Sequence, residues 1–513
     1  MAESRVVGFI DIGSNSVHLL VVELFPDSLG SVIFQDRESV RLGQSLFSQG
    51  RIDGETIEKT RIVVGRFAQI SKDLGAEEIR AFGTCAAREA YNRNELIEAV
   101  SEAGVDMRVI SGREEARLVG LGVFGPYGPK ERCVNIDLGG GSTEINLSKG
   151  NEVLFLDSLK AGAVRFSYGL GIDQSQAVSQ KDYRKIMKAV RKLASDTAKR
   201  LGKIGFDGAI GSSGTMVNLA EMCAERRDGD PSYMELGELS QLMRELCELD
   251  VEHRYDIPKL NPGRADIIIG GGAIAEALMT LFDIERIHIS DRGLREGMQI
   301  DYLLEQGRKD FNIRKSSVIT LARRCGFNEV HAEKVRHHAL ALFDRLRELG
   351  IHKIGDDRRE LLGYAATLHD IGEFISYDRH HAHSYTIIIN SSMPGFTGME
   401  LEELALMARF HHKKFPGLDN KYLGCLPHPV VMDVLGCALM LRMADVMDRH
   451  RSAPVDRVRL KMLGNTVVMD LESEEDISME VWKLEELSEN FRDVFGHDLT
   501  IRVPGWENGI RSD

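Results

Sequence analysis

The chain has 513 residues, a length that corresponds to about three or four domains of ordinary size. Hydrophobic residues make up 43% and charged residues 28%, which is typical of a globular protein and excludes a disordered one. The net charge of −14 argues against a general nucleic-acid binder, so any anionic ligand must be held by a local site.

Cysteine spacing, the N-terminal residues and hydropathy bear on the compartment. The seven cysteines are scattered without a CxxC pair, so we expect reduced thiols in a cytoplasmic protein. The N-terminus enters a strand almost at once, which predicts that there is no signal peptide. No stretch of the sequence is apolar and long enough to span a bilayer.

The first 305 residues alternate short Val/Ile-rich segments with helical patterns, which predicts α/β layers. The predicted strands include Val6–Ile10, Ile79–Phe82, Met107–Ile110, Val134–Ile136, Gly208–Ile210, Ile267–Ile269 and Arg286–Ile289. Two of them lead into the same turn: an apolar strand, then Asp-[Ile/Leu]-Gly-x-x-Ser, then a second apolar strand, beginning at Asp11 and at Asp137. The repeat predicts two similar lobes, residues 1–126 and 127–305, that face one cleft.

The remainder of the chain has a different character. From Arg314 to Arg451 the pattern is almost entirely helical, which predicts a helical domain at 306–453. We expect a small ββαβ domain at 454–513. Its predicted elements are a hairpin turn at Gly464 and Asn465, a helix at Met479–Phe495 and a strand at Leu499–Val503.

The two acid-led turns have the chemistry of a metal-phosphate site. Glycine lets the backbone turn tightly and present N–H groups to an anion, and carboxylates at strand ends can hold Mg²⁺ directly or through water. We therefore predict Asp11 and Asp137 as cation ligands. The predicted phosphate donors are Ser14, Asn15 and Ser16 in the first turn, and Gly139, Gly140, Gly141 and Ser142 in the second. A single DxG turn is as often a plain hairpin, but the pairing favours a shared site.

Three more glycine-rich segments follow, at 208–222, 266–282 and 287–299. In each, the pattern predicts a strand that ends in small residues and a helix whose free N–H groups can bind an anion. For the second and third segments a plain strand-to-helix turn remains an equal alternative. The predicted phosphate contacts of the first segment are Gly211, Ser212, Ser213, Gly214 and Thr215.

Together these features resemble the actin, sugar kinase and Hsp70 superfamily. Within it, "DIGSNSVHLLV", "GTCAAREA", "ISGREEARL", "DLGGGSTE", "GSSGT" and "SDRGLREG" resemble the exopolyphosphatase and guanosine pentaphosphate phosphohydrolase family. The similarity runs through residues 6–300 and more loosely to about 450. It implies two duplicated actin-like (ribonuclease H-like) lobes, followed by the helical and small α+β domains.

The segment "SGREEARL" offers a catalytic acid. Ser111 and Glu114 have the spacing of a capping box, which predicts that the Glu114 carboxylate bonds back to the Ser111 N–H. That leaves Glu115 without a structural role, although a solvated surface acid is the alternative. The resemblance places the catalytic glutamate at Glu115, which we predict to be the general base that activates water.

Two further catalytic assignments depend more on the resemblance. Arg88 follows the strand Ile79–Phe82 and would grip the transferring phosphoryl group, although arginines near helix starts are usually solvated. Regular alternation of the strand after Ser142 would point Glu144 into the cleft with Asp137. We predict that Asp137 and Glu144 hold the metal ion.

A basic helix follows at 181–203. Five lysines (Lys181, Lys185, Lys188, Lys192 and Lys199) recur at helical spacing, opposite a predicted buried stripe of Ile186, Val190, Leu193 and Leu201. A solvated face is the more common meaning of such a pattern. A long polyanion would nevertheless need a basic surface of this kind to extend the cleft.

Histidines mark a second candidate site, because thirteen of the sixteen follow residue 330. Their order with aspartates resembles the HD phosphohydrolase superfamily and implies a metal site, for which His337 and His338 compete with His331. Mixed imidazole and carboxylate ligands suit Mn²⁺, Fe or Zn²⁺. The predicted ligands are His331, His369, Asp370, His383, His411, His412 and Asp445.

The resemblance implies an enzyme that hydrolyses the terminal phosphoanhydride of inorganic polyphosphate and releases orthophosphate. It also implies Mg²⁺ (or Mn²⁺) in the cleft and a homodimer. Guanosine pentaphosphate as the main substrate is the nearest alternative. A kinase of the wider superfamily and a non-catalytic polyphosphate or nucleotide sensor are the others.

Overall fold

The computed structural model describes residues 4–25, 30–125, 128–307, 312–391, 393, 395–452, 454–504, 506–507 and 510–511. Cα packing divides the chain into two compact units, Met1–Asn312 and Ile313–Asp513. The predicted four-part division is finer than this and stays a prediction. Its boundaries at residues 126, 127 and 453 lie outside the described residues.

The first unit contains two mixed sheets. The first sheet has the order β3-β2-β1-β4-β5, in which β1 pairs antiparallel with β2 and parallel with β4. Its strands are β1 (Arg5–Ile12), β2 (Ser16–Leu24), β3 (Ser31–Ser39), β4 (Glu78–Gly83) and β5 (Met107–Val109). The two central strands β1 and β2 are largely buried, which explains their nearly continuous apolar sequences.

The second sheet repeats this arrangement. Its order is β10-β11-β9-β6-β7-β8, so β8-β7-β6-β9-β11 corresponds to β3-β2-β1-β4-β5, with β10 added antiparallel at the edge. The strands are β6 (Cys133–Leu138), β7 (Thr143–Lys149), β8 (Glu152–Leu159), β9 (Gly208–Ser212), β10 (Tyr233–Glu235) and β11 (Arg286–Ser290). The internal repeat expected from the two turns is therefore present in the strand order.

Helices connect and cover these strands. They are α1 (Leu42–Gln49), α2 (Gly54–Asp73), α3 (Cys85–Glu89), α4 (Arg93–Glu102), α5 (Gly112–Phe124), α6 (Ala163–Tyr168), α7 (Gln180–Leu193), α8 (Ser195–Ile204), α9 (Gly214–Arg227), α10 (Leu236–Glu248), α11 (Val251–Arg254), α12 (Ile268–Leu281) and α13 (Leu294–Glu305). A short 3-10 turn covers Pro262–Arg264.

One predicted strand is wrong. Ile268 and Ile269 begin α12, and the buried apolar run that favoured a strand is the start of a buried helix, which periodicity alone cannot distinguish. The glycines that follow lie inside the helix and permit close packing. A Cβ added to Gly272 would lie 2.1 Å from the Met243 sulfur, for example. This segment is therefore not the strand-to-helix anion loop that the sequence suggested.

Close packing of α5 against α13 also depends on glycine. A Cβ added to Gly297 would lie 1.9 Å from the Leu118 carbonyl oxygen, and one added to Gly122 would lie 2.0 Å from the Gly293 carbonyl oxygen. Both neighbours are backbone atoms, so a side chain would force the two helices apart. This contact fixes α5 against the segment that precedes α13.

The second unit is mainly helical, as expected. Its helices are α14 (Ile313–Arg324), α15 (Glu329–Glu348), α16 (Asp356–Leu368), α17 (His380–Ile389), α18 (Gly398–Phe410) and α19 (His428–Met447), with 3-10 turns at Ile371–Phe374 and Lys421–Cys425. Buried side chains of α15, α16, α18 and α19 form one continuous core.

The expected β-hairpin and final strand complete this unit. The elements are β12 (Arg457–Leu463), β13 (Thr466–Glu472), α20 (Ser478–Glu485), α21 (Ser488–Phe495), β14 (Asp498–Arg502), β15 (Trp506–Glu507) and β16 (Ile510–Arg511). Gly464 supplies the positive φ of the hairpin turn. The single predicted helix at 479–495 is wrong, because the chain bends after Glu485 and buries both Leu484 and Leu487.

Two expectations from composition can be compared with the described residues. Six cysteines have described side chains, and all six are free thiols. No helix in the described ranges combines the length and apolar character needed to cross a membrane.

The packing of α5 against α13 predicts a destabilising substitution. Gly297→Ala should lower the free energy of unfolding of the first unit by about 1–3 kcal/mol, because its methyl group meets the Leu118 carbonyl. Gly202→Ala is the matched control. It lies in α8 with no atom near the added Cβ, so it should leave stability unchanged or raise it by about 0.5–1 kcal/mol. Urea unfolding of both variants measures the difference, and equal stability would contradict this packing account.

Candidate active site

The two acid-led turns lie at the ends of β1 and β6 and line one cavity of about 620 Å³. Their backbones are closed by the same hydrogen bond: Gly13 N–H donates to the Ser16 carbonyl, and Gly139 N–H donates to the Ser142 carbonyl, both at 3.0 Å. Asp11 and Asp137 both contribute to the cavity wall. The predicted pair of turns therefore converges on a single space.

Asp11 and Asp137 are held differently. The Asp11 Oδ1 atom is buried and has no hydrogen-bond partner among the residues that the structure describes. Asp137 Oδ1 accepts a hydrogen bond of 2.5 Å from the Ser212 hydroxyl. Burial is the main cause that raises the pKa of Asp11 to about 7 and the pKa of Asp137 to about 6.

Glu115 lies in the first turn of α5 and lines the same cavity, with 8% of its surface exposed. Its Oε2 atom accepts a hydrogen bond of 3.0 Å from Arg88 Nη1. Burial raises the pKa of Glu115 to about 7, although the Arg88 charge opposes that shift. Glu115 is therefore a buried carboxylate beside Asp11 and Asp137, and the surface-acid alternative is excluded by its burial.

The predicted capping box at this helix is only half formed. The Ser111 hydroxyl accepts from the Glu114 N–H at 3.2 Å, as expected for an N-cap. The Glu114 carboxylate, however, bonds to the Arg117 guanidinium at 2.9 Å and not back to Ser111. An arginine one turn further along α5 offers a charged partner, which competes with the return bond.

Arg88 acts from behind the cavity wall. It belongs to α3 and donates from Nη1 to the Ile110 carbonyl at 2.9 Å as well as to Glu115. It is not among the described residues that line the cavity. In this conformation Arg88 orients the Glu115 carboxylate and favours its charged form. Its own side chain does not line the cavity.

Glu144 also lies beneath the surface of the cavity. It is the cross-strand neighbour of Asp137, so the two side chains share one face of the sheet as predicted. Its carboxylate accepts from the Ser158 hydroxyl at 2.8 Å, and only 1% of Glu144 is exposed. Burial, then the charges of Glu115 and Asp137, raise its pKa well above the usual range.

Most predicted phosphate contacts line the cavity: Ser14, Asn15, Ser16, Gly139, Gly140, Gly141, Ser142, Ser213, Gly214 and Thr215. Gly211 and Ser212 do not. Ser212 is fully buried and bonds Asp137, and Gly211 lies against the Met216 side chain. They occupy the last positions of β9, one step before the chain turns into α9, so they support the wall.

Four arginines on the cavity wall were not predicted: Arg37, Arg264, Arg292 and Arg295. Arg264 donates to the Thr215 hydroxyl at 2.9 Å, and burial lowers its pKa to about 10. Arg292 and Arg295 lie in the segment "SDRGLREG", whose family resemblance could have indicated them. Arg37 comes from the partly exposed strand β3 and Arg264 from a 3-10 turn, neither of which carries a motif, so only the fold brings them here.

The lysine-rich segment does not border this cavity. The structure divides it into α7 and α8, and Leu193 is 47% exposed at the break, so its predicted burial is wrong. Of the five lysines, Lys188 lines a separate cavity with Arg184, Arg191 and Arg244. A basic surface exists, but it does not extend the cavity of the two turns.

The residues of the cavity fit a divalent cation. Two carboxylates from facing turns, one with an unpartnered buried oxygen, are the hard oxygen ligands that Mg²⁺ prefers. The same carboxylates are costly to ionise without a positive charge nearby, because burial raises the pKa of each. Neighbouring acids add to the shift, mainly Glu115 for Asp11 and Glu296 for Asp137. Asp11 and Asp137 are thus the candidate ligands, with Glu144 behind them.

The structure also brings together most of the histidines and aspartates predicted for the second site, although one predicted histidine is replaced by another. His331, His369 and Asp370 place ligand atoms within 4.8 Å of one another, and Asp370, His380 and His411 do the same. Asp445 contacts His331 and His369. His380, the first residue of α17, lies in the cluster in place of the predicted His383, which belongs to neither group in the described part of the chain.

His412 lies beside this cluster and not within it. Its ring centroid is 4.9 Å from that of His380, but its atoms belong to neither ligand group in the described part of the chain. The neighbouring His411 places its ring nitrogen in the cluster, and the sequence could not decide between two adjacent histidines at the end of a helix.

Comparisons with known proteins identify related chains. The model of the Ppx/GppA phosphatase family matches residues 21–306, and that of the Ppx/GppA phosphatase domain III matches residues 313–489. The resemblance noted in the sequence is thus confirmed for that family. The similarity to the HD superfamily is not tested by these matches and stays a prediction.

Two curated relatives are guanosine-5'-triphosphate,3'-diphosphate pyrophosphatases. The protein from Photobacterium profundum is 26% identical over 414 residues, which cover 80% of this chain and 82% of the relative. The protein from Aeromonas hydrophila is 29% identical over 413 residues, which cover 79% and 81%.

A solved structure supports the fold of the first part of the chain. The crystal structure of an exopolyphosphatase from Cytophaga hutchinsonii is 24% identical, with a TM-score of 0.54 over 59% of this chain and 98% of that chain. At this identity the likeness concerns the fold alone.

The buried carboxyls predict that Mg²⁺ binding strengthens with pH. A carboxyl whose folded-state pKa is raised destabilises the metal-free fold as pH rises from the unfolded value of about 4 through the folded value. For Asp137 and Asp11 the folded values are about 6 and about 7. Mg²⁺ should therefore raise the melting temperature more at pH 8 than at pH 5.5. Asp11→Asn should reduce that response, and an equal response at both pH values would contradict the assignment.

Proposed function

Because this chain belongs to the Ppx/GppA phosphatase family, we propose that it hydrolyses the terminal phosphoanhydride bond of inorganic polyphosphate and releases orthophosphate. The observation that carries this proposal is the position of Glu115. A buried carboxylate with a pKa near neutrality lies on the wall of the cavity formed by the two acid-led turns.

Glu115 has the properties of a general base. Its pKa of about 7 matches the condition for accepting a proton from water near neutral pH. The hydrogen bond from Arg88 fixes the orientation of the carboxylate and favours its charged form. Glu115 would orient a water molecule toward the terminal phosphorus and accept its proton as the water oxygen bonds to that phosphorus. The bond from the phosphorus to the bridging oxygen breaks, and that oxygen leaves with the shortened chain while the terminal phosphate is released as orthophosphate.

The glycine-rich turns and the arginines would hold the phosphate chain. Gly140 and Gly141 present backbone N–H groups without side chains, and α9 begins at Gly214 on the same wall. The guanidinium of Arg264 is fixed by its bond to Thr215. These groups neutralise an anion and leave its terminal phosphate near Glu115.

A divalent cation is the expected partner of Asp11 and Asp137. When bound, Mg²⁺ (or Mn²⁺) would neutralise phosphate charge beside these carboxylates. Glu144 would support Asp137 from beneath, since it lies across the strand pair and bonds to Ser158. We propose the cation and the role of each residue together with the reaction, and we also propose that the two lobes are actin-like.

Guanosine pentaphosphate is the second candidate substrate. It is favoured by the names of the two curated relatives, which match about four-fifths of this chain. The same base and the same phosphate contacts would serve either substrate, because both end in a phosphoanhydride. The alternative of a non-catalytic sensor would require tight binding without phosphate release. The cytoplasmic location and the homodimer stay predictions.

Glu115→Gln should reduce phosphate release by about 10²–10⁴-fold with either substrate, because the amide cannot accept the proton from water. The measurement is orthophosphate released from long-chain polyphosphate and, in parallel, from guanosine pentaphosphate. The ratio of kcat/KM for the two substrates in the wild-type chain decides which is preferred.

Glu114→Gln is the matched control. Glu114 precedes Glu115 on α5 but bonds to Arg117, and it does not line the cavity in the described part of the chain. Its variant should keep activity within a few-fold of wild type. A thermal melt first establishes that Glu115→Gln is folded. If this variant were then as active as Glu114→Gln, the general-base assignment would be wrong.

A further inference from the structure

Arg165 lies beside the second acid-led turn, and the proposed reaction gives its side chain no role. It is a residue of α6 and is not among the described residues that line the cavity. Its Nε atom donates to the Gly141 carbonyl at 2.7 Å, and its Nη2 atom lies 3.0 Å from the Glu89 carboxylate and 3.2 Å from the Cys85 sulfur. The guanidinium carbon is 4.2 Å from the centre of the Phe47 ring.

These contacts join the two repeated halves of the first unit. Helix α6 follows β8 of the second sheet, whereas Phe47 belongs to α1, and Cys85 and Glu89 are the two ends of α3. Arg88 is also a residue of α3 and donates to Glu115. One short helix therefore contacts both the side chain that bonds to the second turn and the carboxylate proposed as the general base.

The carbonyl groups of the second turn are bonded in two ways. Those of Gly139 and Gly140 accept from the first three backbone N–H groups of α6 at 2.9 to 3.1 Å. The Gly141 carbonyl has no backbone donor among the residues that the structure describes, and it accepts from the Arg165 side chain. The orientation of this last carbonyl therefore depends on one side chain.

In the first acid-led turn, backbone groups hold the equivalent carbonyl. Asn15 occupies the position that Gly141 has in the second turn. Its carbonyl accepts from the N–H groups of Val40 and Arg41 at 3.2 and 2.9 Å. The Arg165 side chain thus supplies in one turn what the backbone supplies in the other.

The direction of the Gly141 carbonyl decides where the next N–H group points. The peptide bond between Gly141 and Ser142 is trans, so the Ser142 N–H points away from the Gly141 oxygen. Ser142 lines the cavity, and in the described part of the chain its N–H has no backbone acceptor. Successive N–H groups of this kind form an anion site, whereas a reversed peptide would turn a carbonyl oxygen toward the anion.

We propose that Arg165 is a positioning residue of the phosphate site, which holds the Gly141–Ser142 peptide so that the Ser142 N–H donates to the bound phosphate chain. This inference rests on the proposed function, because it requires that the second turn binds the phosphates of polyphosphate. Arg165 acts through the peptide and does not contact the substrate. Glu89 and the Phe47 ring fix the plane of its guanidinium, which a flexible ammonium would not match.

Arg165→Met tests this role, because methionine has a similar length and no donor. In the Glu115→Gln chain, which should not turn over substrate, calorimetry with Mg²⁺ and inorganic tripolyphosphate should show binding about tenfold weaker after the change. In the active chain, KM for long-chain polyphosphate should rise about tenfold while kcat stays within about threefold, since the N–H contacts the phosphate before and during the reaction alike.

Arg41→Met is the matched control. Arg41 also joins the two halves, through an ion pair of 2.8 Å between its Nη1 atom and Asp266. Its bond to the Asn15 carbonyl uses the backbone N–H, which the substitution keeps. Tripolyphosphate binding should therefore stay within about threefold of the parent. Equal losses in Arg41→Met and Arg165→Met would mean that Arg165 merely holds the halves together, and would overturn the proposal.

Arg165→Lys separates charge from hydrogen bonding. Its ammonium can still pair with Glu89, but a methylene group replaces the Nε atom that donates to Gly141. It should bind tripolyphosphate about as weakly as Arg165→Met. Binding equal to the parent would show that charge suffices and would overturn the proposal. Thermal melts first establish that each variant is folded, and Arg165→Lys decides the question if Arg165→Met does not fold.

The binding measurements do not depend on turnover. A wild-type chain that releases no orthophosphate would contradict the proposed function and leave the comparison of Arg165→Met with Arg41→Met intact. Tripolyphosphate binding that is unchanged by Arg165→Met, in a chain that does release orthophosphate, would overturn this inference alone.

Discussion

The first unit is organised around buried carboxyl groups that the proposed reaction requires in their charged form. Asp11, Asp137, Glu115 and Glu144 lie close enough to influence one another, and burial raises the pKa of each. Such a group of acids destabilises a fold unless positive charge compensates it. Arg88 supplies part of that charge to Glu115, and a cation at the two turns would supply the remainder. Substrate binding and catalysis would then both depend on how well Arg88 and the cation compensate the charge of these carboxylates.

The fold delivers these acids from two repeated halves. Each sheet ends its first strand in an acid-led turn closed by the same backbone hydrogen bond, so two distant segments present matching surfaces. Helix α5 adds Glu115 from a third direction, and its glycine-mediated contact with α13 holds it beside the arginines of "SDRGLREG". Loss of that packing would move Glu115 relative to the turns without any change in the turns themselves.

Sequence reasoning succeeded where local pattern decides the structure. The paired turns, the strands that lead into them and the N-cap Ser111 were all predictable from residue type and spacing. It failed where tertiary packing decides. The apolar run at Ile268 starts a buried helix, which periodicity alone cannot distinguish from a strand, and its glycines permit close packing against Met243. Arg37 and Arg264 reach the cavity only through the fold. His380 lies in the cluster in place of His383 because the sequence cannot show which of several histidines at the start of a helix faces the site.

The central claim is that a cation sits between the two acid-led turns, where a phosphate chain ends beside Glu115. Anomalous diffraction from crystals of the Glu115→Gln chain grown with Mn²⁺ and polyphosphate tests it most directly. The account predicts a manganese peak in the cavity between Asp11 and Asp137, with phosphate density running from it along the glycine-rich turns. Manganese found only elsewhere, with polyphosphate bound away from these turns, would contradict it.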